Sequence, residues 1–200
     1  MKILFTGCSW TYGDELQNPM ESRYSKLICD YFKINEYNIA KNGNPTQGII
    51  RLAFNELEKN DYDVCCVQIS GQTRFELPFE NKIQKFGINY HRLSIKKTYL
   101  ENTVISSNSD INVYNEFNYH NIILFDAYCK LKNIKPLFYF LNDEYLKWFK
   151  INNKSQIDYL DYSLKGIVPK EMLGPRNHSL EDGHKIIANR IIGELEKRLK

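Results

Sequence analysis

Short apolar, β-rich runs alternate with stretches of helical period along this chain. That alternation predicts an α/β protein whose strands are parallel and joined by right-handed crossovers. The strand candidates are residues 2–7, 37–40, 63–70, 135–141 and a short run at 165–168. Residues 22–32 read as a helix between the first two. Between the second and third, Thr46 is placed to cap a helix in which Ile49, Ile50, Ala53, Phe54 and Leu57 keep a helical period. Residues 112–132 form a longer helical stretch, with Phe117, Ile122, Phe125, Tyr128 and Leu131 on or near one face. The last helix is expected to begin at Ser179, whose spacing to Asp182 fits a capping box, and to continue through Ile187, Ile191, Leu195 and Leu199.

Residues 72–109 break the alternation. They mix Phe75, Phe79, Phe86, Tyr90 and Tyr99 with many polar residues, and they exceed the roughly 12–15 residues of a plain connection. A cap or lid that shapes a pocket is one reading, and an oligomer contact is the other. No internal repeat, low-complexity tract or interdomain linker stands out. At 200 residues and 42% hydrophobic content the chain can bury one good core, so residues 1–200 are expected to form a single domain with an insertion at 72–109.

Charge and cysteine usage narrow the partners. A net charge of +3 is small for this length, so neither nucleic acid nor a membrane surface is an expected partner. The cysteines, Cys8, Cys29, Cys65, Cys66 and Cys129, are odd in number and contain no Cys-x-x-Cys pair. A reducing compartment is the simpler reading, and a cytoplasmic location is expected. The start Phe5-Thr6-Gly7-Cys8 has the outline of a lipoprotein box but lacks the charged segment and the ~7–15 apolar residues that export requires. The composition leaves the oligomeric state open.

The residues with chemistry fall where the predicted strands end. Ser9 lies in Gly7-Cys8-Ser9-Trp10-Thr11-Tyr12-Gly13, on the turn leaving the first strand. Gly43 follows the second strand, Gly71 to Arg74 follow the third, and His178 follows the last in Asn177-His178-Ser179-Leu180-Glu181-Asp182-Gly183-His184. In a parallel sheet these positions gather at the carboxyl edge, where open α/β folds place their sites. A serine hydroxyl needs a base within hydrogen-bond reach, and His178 is the candidate.

Each of these residues also has a plainer reading. A serine in a glycine-flanked turn is often turn chemistry alone, and Gly43 supplies a positive φ whatever else it does. His184, one helical turn inside the last helix, is expected to pack or to support the site from behind. Cys8 is expected to point away from Ser9 into the core, and Cys65 and Cys66 read as small buried residues. Asp14 and Glu15 could approach the pocket mouth, though carboxylates beside a helix start are more often surface groups. The two histidines, six apart, do not share a helix face, so neither a metal nor another cofactor is expected.

These segments resemble, in order, the blocks of the SGNH (GDSL-type) hydrolase superfamily. Gly7-Cys8-Ser9-Trp10-Thr11-Tyr12-Gly13 is similar to the Gly-Asp-Ser block without its Asp, and Asn38-Ile39-Ala40-Lys41-Asn42-Gly43 to the glycine block after strand two. Gly71-Gln72-Thr73-Arg74 aligns with Gly-x-Asn-Asp, placing Thr73 where the family has asparagine. His178, Gly183 and His184 fit the last block, while Pro175 stands where the family has its acid.

The resemblance implies a three-layer α/β/α, flavodoxin-like fold with a five-stranded parallel sheet. It also implies a metal-independent serine esterase acting on an O-acyl ester of a carbohydrate or other small molecule. Ser9 would be the nucleophile and His178 the base. The backbone N–H groups of Ser9 and Gly43, with the Thr73 hydroxyl, would form the oxyanion hole, and Arg74 and Trp10 would touch substrate. With no acid before His178, a Ser-His dyad oriented by a backbone carbonyl is expected, or else another carboxylate on the second ring nitrogen. Two alternatives share the fold: a binding module that has lost catalysis, and an O-acyltransferase using the same site.

Overall fold

In the computed structural model, which describes residues 1–71, 74–79, 82–87 and 111–199, strands β1 (Ile3–Thr6) and β3 (Val64–Ile69) are buried at every position. A strand covered on both faces reads as a continuous apolar run, and that is how these two read in the sequence. They pair in parallel with Phe5 beside Cys66. β2 (Tyr37–Asn38), β6 (Lys135–Phe140) and β7 (Tyr159–Ser163) complete an all-parallel sheet in the order β2-β1-β3-β6-β7. A separate antiparallel hairpin, β4 (Arg74–Phe79) with β5 (Lys82–Gly87), leaves the end of β3.

Helices cover both faces of the sheet. α3 (Tyr24–Phe32) packs with the last helix, α8 (Glu181–Arg198), on one side. On the other, α4 (Thr46–Leu57) packs with α5 (Ile111–Leu131), and α5 with α6 (Asp143–Asn152). The fold is therefore the expected three-layer α/β/α arrangement. No described helix is long and apolar enough to cross a membrane.

Four local expectations are corrected. Residues 164–167 are not a strand but a helical turn, α7 (Leu164–Ile167), entered through Ser163, whose Oγ accepts the Gly166 N–H at 2.9 Å. The fifth strand is β7, whose Tyr-Leu-Asp-Tyr-Ser reads as polar because at the sheet edge only Leu160 and Ser163 are buried. Thr46 lies inside α4 with Pro45 at the cap position, and α8 starts from Leu180 rather than Ser179. The expected capping box is absent, since the Ser179 Oγ turns to the Leu180 carbonyl at 3.3 Å. On α5, Ile122 and Phe125 are buried as expected, but Phe117 and Leu131 face solvent.

The hairpin falls within the expected insertion and lies against α4. Arg51 grips Glu76 through two hydrogen bonds, of 2.9 and 3.1 Å, and Gln47 Oε1 accepts the Glu76 N–H at 3.0 Å. The rest of the 72–109 insertion lies largely outside the described residues.

Candidate active site

Ser9 opens α1 (Ser9–Tyr12), a single helical turn entered directly from β1 through Gly7 and Cys8. Its N–H is among the donors a helix start leaves unpaired. Gly7 has to be glycine here, because an added Cβ would lie 2.1 Å from Thr11 Oγ1 and 2.7 Å from Gln68 Oε1. Gln68 on β3 fastens this turn from below: its Oε1 accepts the Cys8 N–H at 3.1 Å and the Thr11 hydroxyl at 2.5 Å. Cys8 is buried in the core, where its Sγ accepts from Gln68 Nε2 at 3.2 Å.

The chain then turns back on itself. Gly13 ends α1 at φ 90° and Glu15 sits at φ 72°, so two left-handed residues in three reverse the direction. Glu15 is thereby aimed at the turn that carries His178. In that turn the Gly174 N–H donates to the His178 carbonyl at 2.8 Å, and Asn177 takes φ 59°. The backbone N–H groups inside the turn converge on the Glu15 carboxylate. Arg176 N–H reaches both oxygens at 3.0 Å, and His178 N–H reaches Oε2 at 3.1 Å.

The three side chains form one hydrogen-bonded line. His178 Nδ1 lies 2.9 Å from Glu15 Oε2, and His178 Nε2 lies 2.8 Å from Ser9 Oγ. Burial acts to raise the Glu15 pKa, but the backbone donors of Arg176 and His178 and the imidazole together hold it below the ordinary carboxylate value. An ionised carboxylate can only accept, so Nδ1 carries the proton and Nε2 presents its lone pair to the Ser9 hydroxyl. Asp14 is a second carboxylate nearby, with Oδ2 3.8 Å from His178 Nε2 and Oδ1 held by Arg176 at 3.0 Å.

The loop after β2 is tied to the same turn, since the Lys41 N–H donates to the Gly7 carbonyl at 3.2 Å. Gly43 in that loop has φ 66°, with open space where a side chain would be. No hydrogen bond among the described residues engages the N–H of Ser9 or Gly43.

An α/β/α molecule with this line at its sheet edge invites comparison. No family profile and no curated protein matches the chain, whereas solved structures match it over nearly its whole length. A lipolytic protein of the G-D-S-L family from Desulfitobacterium hafniense superposes with a TM-score of 0.63 at 12% identity, covering 96% of this chain and 97% of its own. TesA gives 0.67 at 10%, covering 98% and 99%. Axe2, an acetylxylan esterase from Geobacillus stearothermophilus, gives 0.61 at 14%, covering 96% and 93%.

The chain has the SGNH-hydrolase fold. Within it, Ser9, Gly43 and His178 lie on the segments that the sequence blocks mark, and Ser9 meets His178 as expected. Of the two orienting groups expected for the second ring nitrogen, the structure places a carboxylate there, Glu15, so the Ser-His pair gains a third member. One expectation changes. Trp10 does not face a substrate space; it is 2% exposed and belongs to the core. Thr73 lies outside the described residues. Arg74 begins β4 with its Nη1 buried and unpartnered among the described residues.

His184 is support rather than chemistry. It is fully buried, stacks on Tyr24 at 5.6 Å, and its Nδ1 accepts the Tyr24 N–H at 3.1 Å. Among the described residues no group of three or more potential ligands could hold a metal ion.

Sequence reasoning missed Glu15 as the carboxylate on His178 and Gln68 as the fastening under the Ser9 turn. The only sequence signal for the first was a pair of acids directly after Gly13. For the second it was one glutamine inside an otherwise apolar strand.

Proposed function

We propose that this protein is a metal-independent serine esterase of SGNH type, cleaving an O-acyl ester of a carbohydrate or other small molecule through an acyl-enzyme on Ser9. The observation that carries the reading is the unbroken line Ser9–His178–Glu15, at 2.8 and 2.9 Å. His178 Nε2 takes the Ser9 proton as Oγ bonds to the ester carbonyl carbon, and Glu15 stabilises the imidazolium that forms. The carbonyl oxygen becomes an oxyanion, for which the Ser9 and Gly43 N–H groups are the available donors. As the tetrahedral species collapses, His178 gives its proton to the departing alcohol. Water then enters by the same route, and its attack releases the acid and restores Ser9. The binding-module alternative rests on two departures, the missing acid before His178 and Thr73 in place of the family's asparagine; Glu15 meets the first need from another part of the chain, while Thr73 lies outside the described residues. That the neighbour Axe2 is an acetylxylan esterase supports a short acyl group on a carbohydrate as the substrate class.

Hydrolysis of short-chain p-nitrophenyl esters and of acetylated sugars, together with labelling by a fluorophosphonate probe, tests the proposal. Turnover and labelling are expected in the wild type and are expected to vanish in Ser9→Ala. His178→Ala should retain about 1 part in 10³ or less of the rate. A wild-type protein that neither turns over any of these esters nor takes the probe would overturn the reading.

A further inference from the structure

α5 has a buried face of mixed polarity and, on the solvent side, a second and largely apolar seam. Asn115, Asn118, Ile122, Phe125, Asp126 and Cys129 are buried. On the solvent side stand Val113, Phe117, His120, Leu124, Ala127 and Leu131, every one exposed. Phe117 is 53%, Leu124 63% and Leu131 85% exposed. Single exposed apolar residues are ordinary. These six, however, are spaced 4-3-4-3-4 over the whole helix, the a/d repeat of a coiled-coil seam. The repeat runs from Val113 to Leu131, nearly the full length of the 21-residue helix and about 27 Å at 1.5 Å per residue.

We infer that this seam is a self-association surface, on which α5 of a second copy packs antiparallel about a two-fold axis. The residues favour that occupant and that direction. With the helices antiparallel and in register, Phe117 lies opposite Ala127, Leu131 opposite Val113, and Leu124 opposite His120, so large and small side chains alternate through the layers. The same register sets Glu116, beside the first half of the seam, against Lys130 of the second copy, and the two-fold axis repeats the pair at the other end. Lys130 holds Asp126 at 2.6 Å within its own helix, yet its side chain is 63% exposed and its ammonium has donors to spare. A parallel pairing would stack Phe117 on Phe117 and His120 on His120 and would leave Glu116 facing Asn121. Charge complementarity therefore selects the antiparallel pair. A single helix pair lies at the small end of specific interfaces, so association in the micromolar range is expected.

The test is the mass of the full chain by sedimentation equilibrium from about 1 to about 100 µM. The wild type is expected to move from 23.7 kDa toward twice that mass as concentration rises. Leu124→Lys should remain monomeric with unchanged far-UV circular dichroism and thermal midpoint, because its side chain is exposed in the monomer. Glu116→Lys should weaken association at least about tenfold by setting Lys against Lys, and the double variant Glu116→Lys/Lys130→Glu should restore it. A wild type that stays monomeric across the range overturns the inference, whether another segment of the chain or a different protein covers the seam. So does a dimer indifferent to the charge reversal.

Discussion

At the residue scale, the site depends on how closely a carboxylate can be wrapped by backbone. A Cβ on Gly174 would stand 2.9 Å from Glu15 Oε1. Because the atom it meets is the free end of a side chain, Gly174→Ala should move the carboxylate rather than unfold the turn. The expected result is a kcat lower by about 10–10²-fold, the scale of cost that a 1 Å displacement near the chemistry carries. Stability should change by less than about 1 kcal/mol. Glu15→Gln keeps the shape but exchanges an acceptor-only group for one that can also donate, so His178 loses the definition of its tautomer. Its kcat should fall further, by about 10²–10⁴-fold. Steady-state kinetics on one p-nitrophenyl ester ranks the two, and a Glu15→Gln rate equal to wild type would remove Glu15 from the relay. This residue also marks the limit of what the sequence conveyed. Ser9 was legible because it directly follows a buried parallel strand, and His178 because its segment resembles the family's last block, although the strand expected just before it is a helical turn. Glu15 was not, because it reaches His178 only through a reversal made by two left-handed residues, Gly13 and Glu15, and a hydrophobic pattern carries no record of backbone reversal.

At the scale of elements, β3 is the part on which the Ser9 turn rests. The Gln68 carbonyl oxygen can only accept, so the Thr11 hydroxyl must donate to it. Tyr24 OH then donates to Thr11 Oγ1 at 2.6 Å, and Tyr139 OH to Tyr24 OH at 2.9 Å. The protons of this buried network thus have one consistent direction, from β6 through α3 and α1 to β3. Gln68→Leu would leave the Cys8 N–H and the Thr11 hydroxyl without an acceptor in a dry site. At roughly 1–3 kcal/mol per unsatisfied group, the urea-unfolding free energy should drop by about 2–6 kcal/mol, with kcat falling as the Ser9 turn loosens. A variant within about 0.5 kcal/mol of wild type would show that the turn is held by other means. The elements themselves were legible in proportion to their burial. β1, β3 and β6 declared themselves as apolar runs, whereas β7, solvated along an edge, hid behind Tyr159, Asp161 and Tyr162, and its place was assigned to the more apolar segment that follows.

For the whole molecule, the joint between α3 and α8 makes stability depend on pH. Burial pushes the His184 imidazole down to about 4, and its Nδ1 already accepts the Tyr24 N–H, so adding a proton there would also set donor against donor. The sign follows from linkage. The unfolded chain binds a proton near the ordinary histidine value of about 6.5, whereas the folded chain resists until about 4. Stability from this group is therefore complete above about pH 6.5 and declines as pH falls toward 4, by roughly 3 kcal/mol. Glu15 acts below that window. Its depressed folded pKa contributes stability above the ordinary carboxylate value, which is lost as pH falls through the folded one. Urea midpoints measured from pH 7 to pH 4 should fall steadily for the wild type. His184→Gln can still accept the Tyr24 N–H but has no proton to gain, so it should be less stable than wild type at pH 7 yet flatter with pH. Parallel slopes for the two proteins would assign the acid sensitivity to other groups. Because α8 follows directly from the turn that holds His178, acid loosening at this joint should lower activity before the sheet itself unfolds, and following ester turnover alongside the urea midpoint separates the two events.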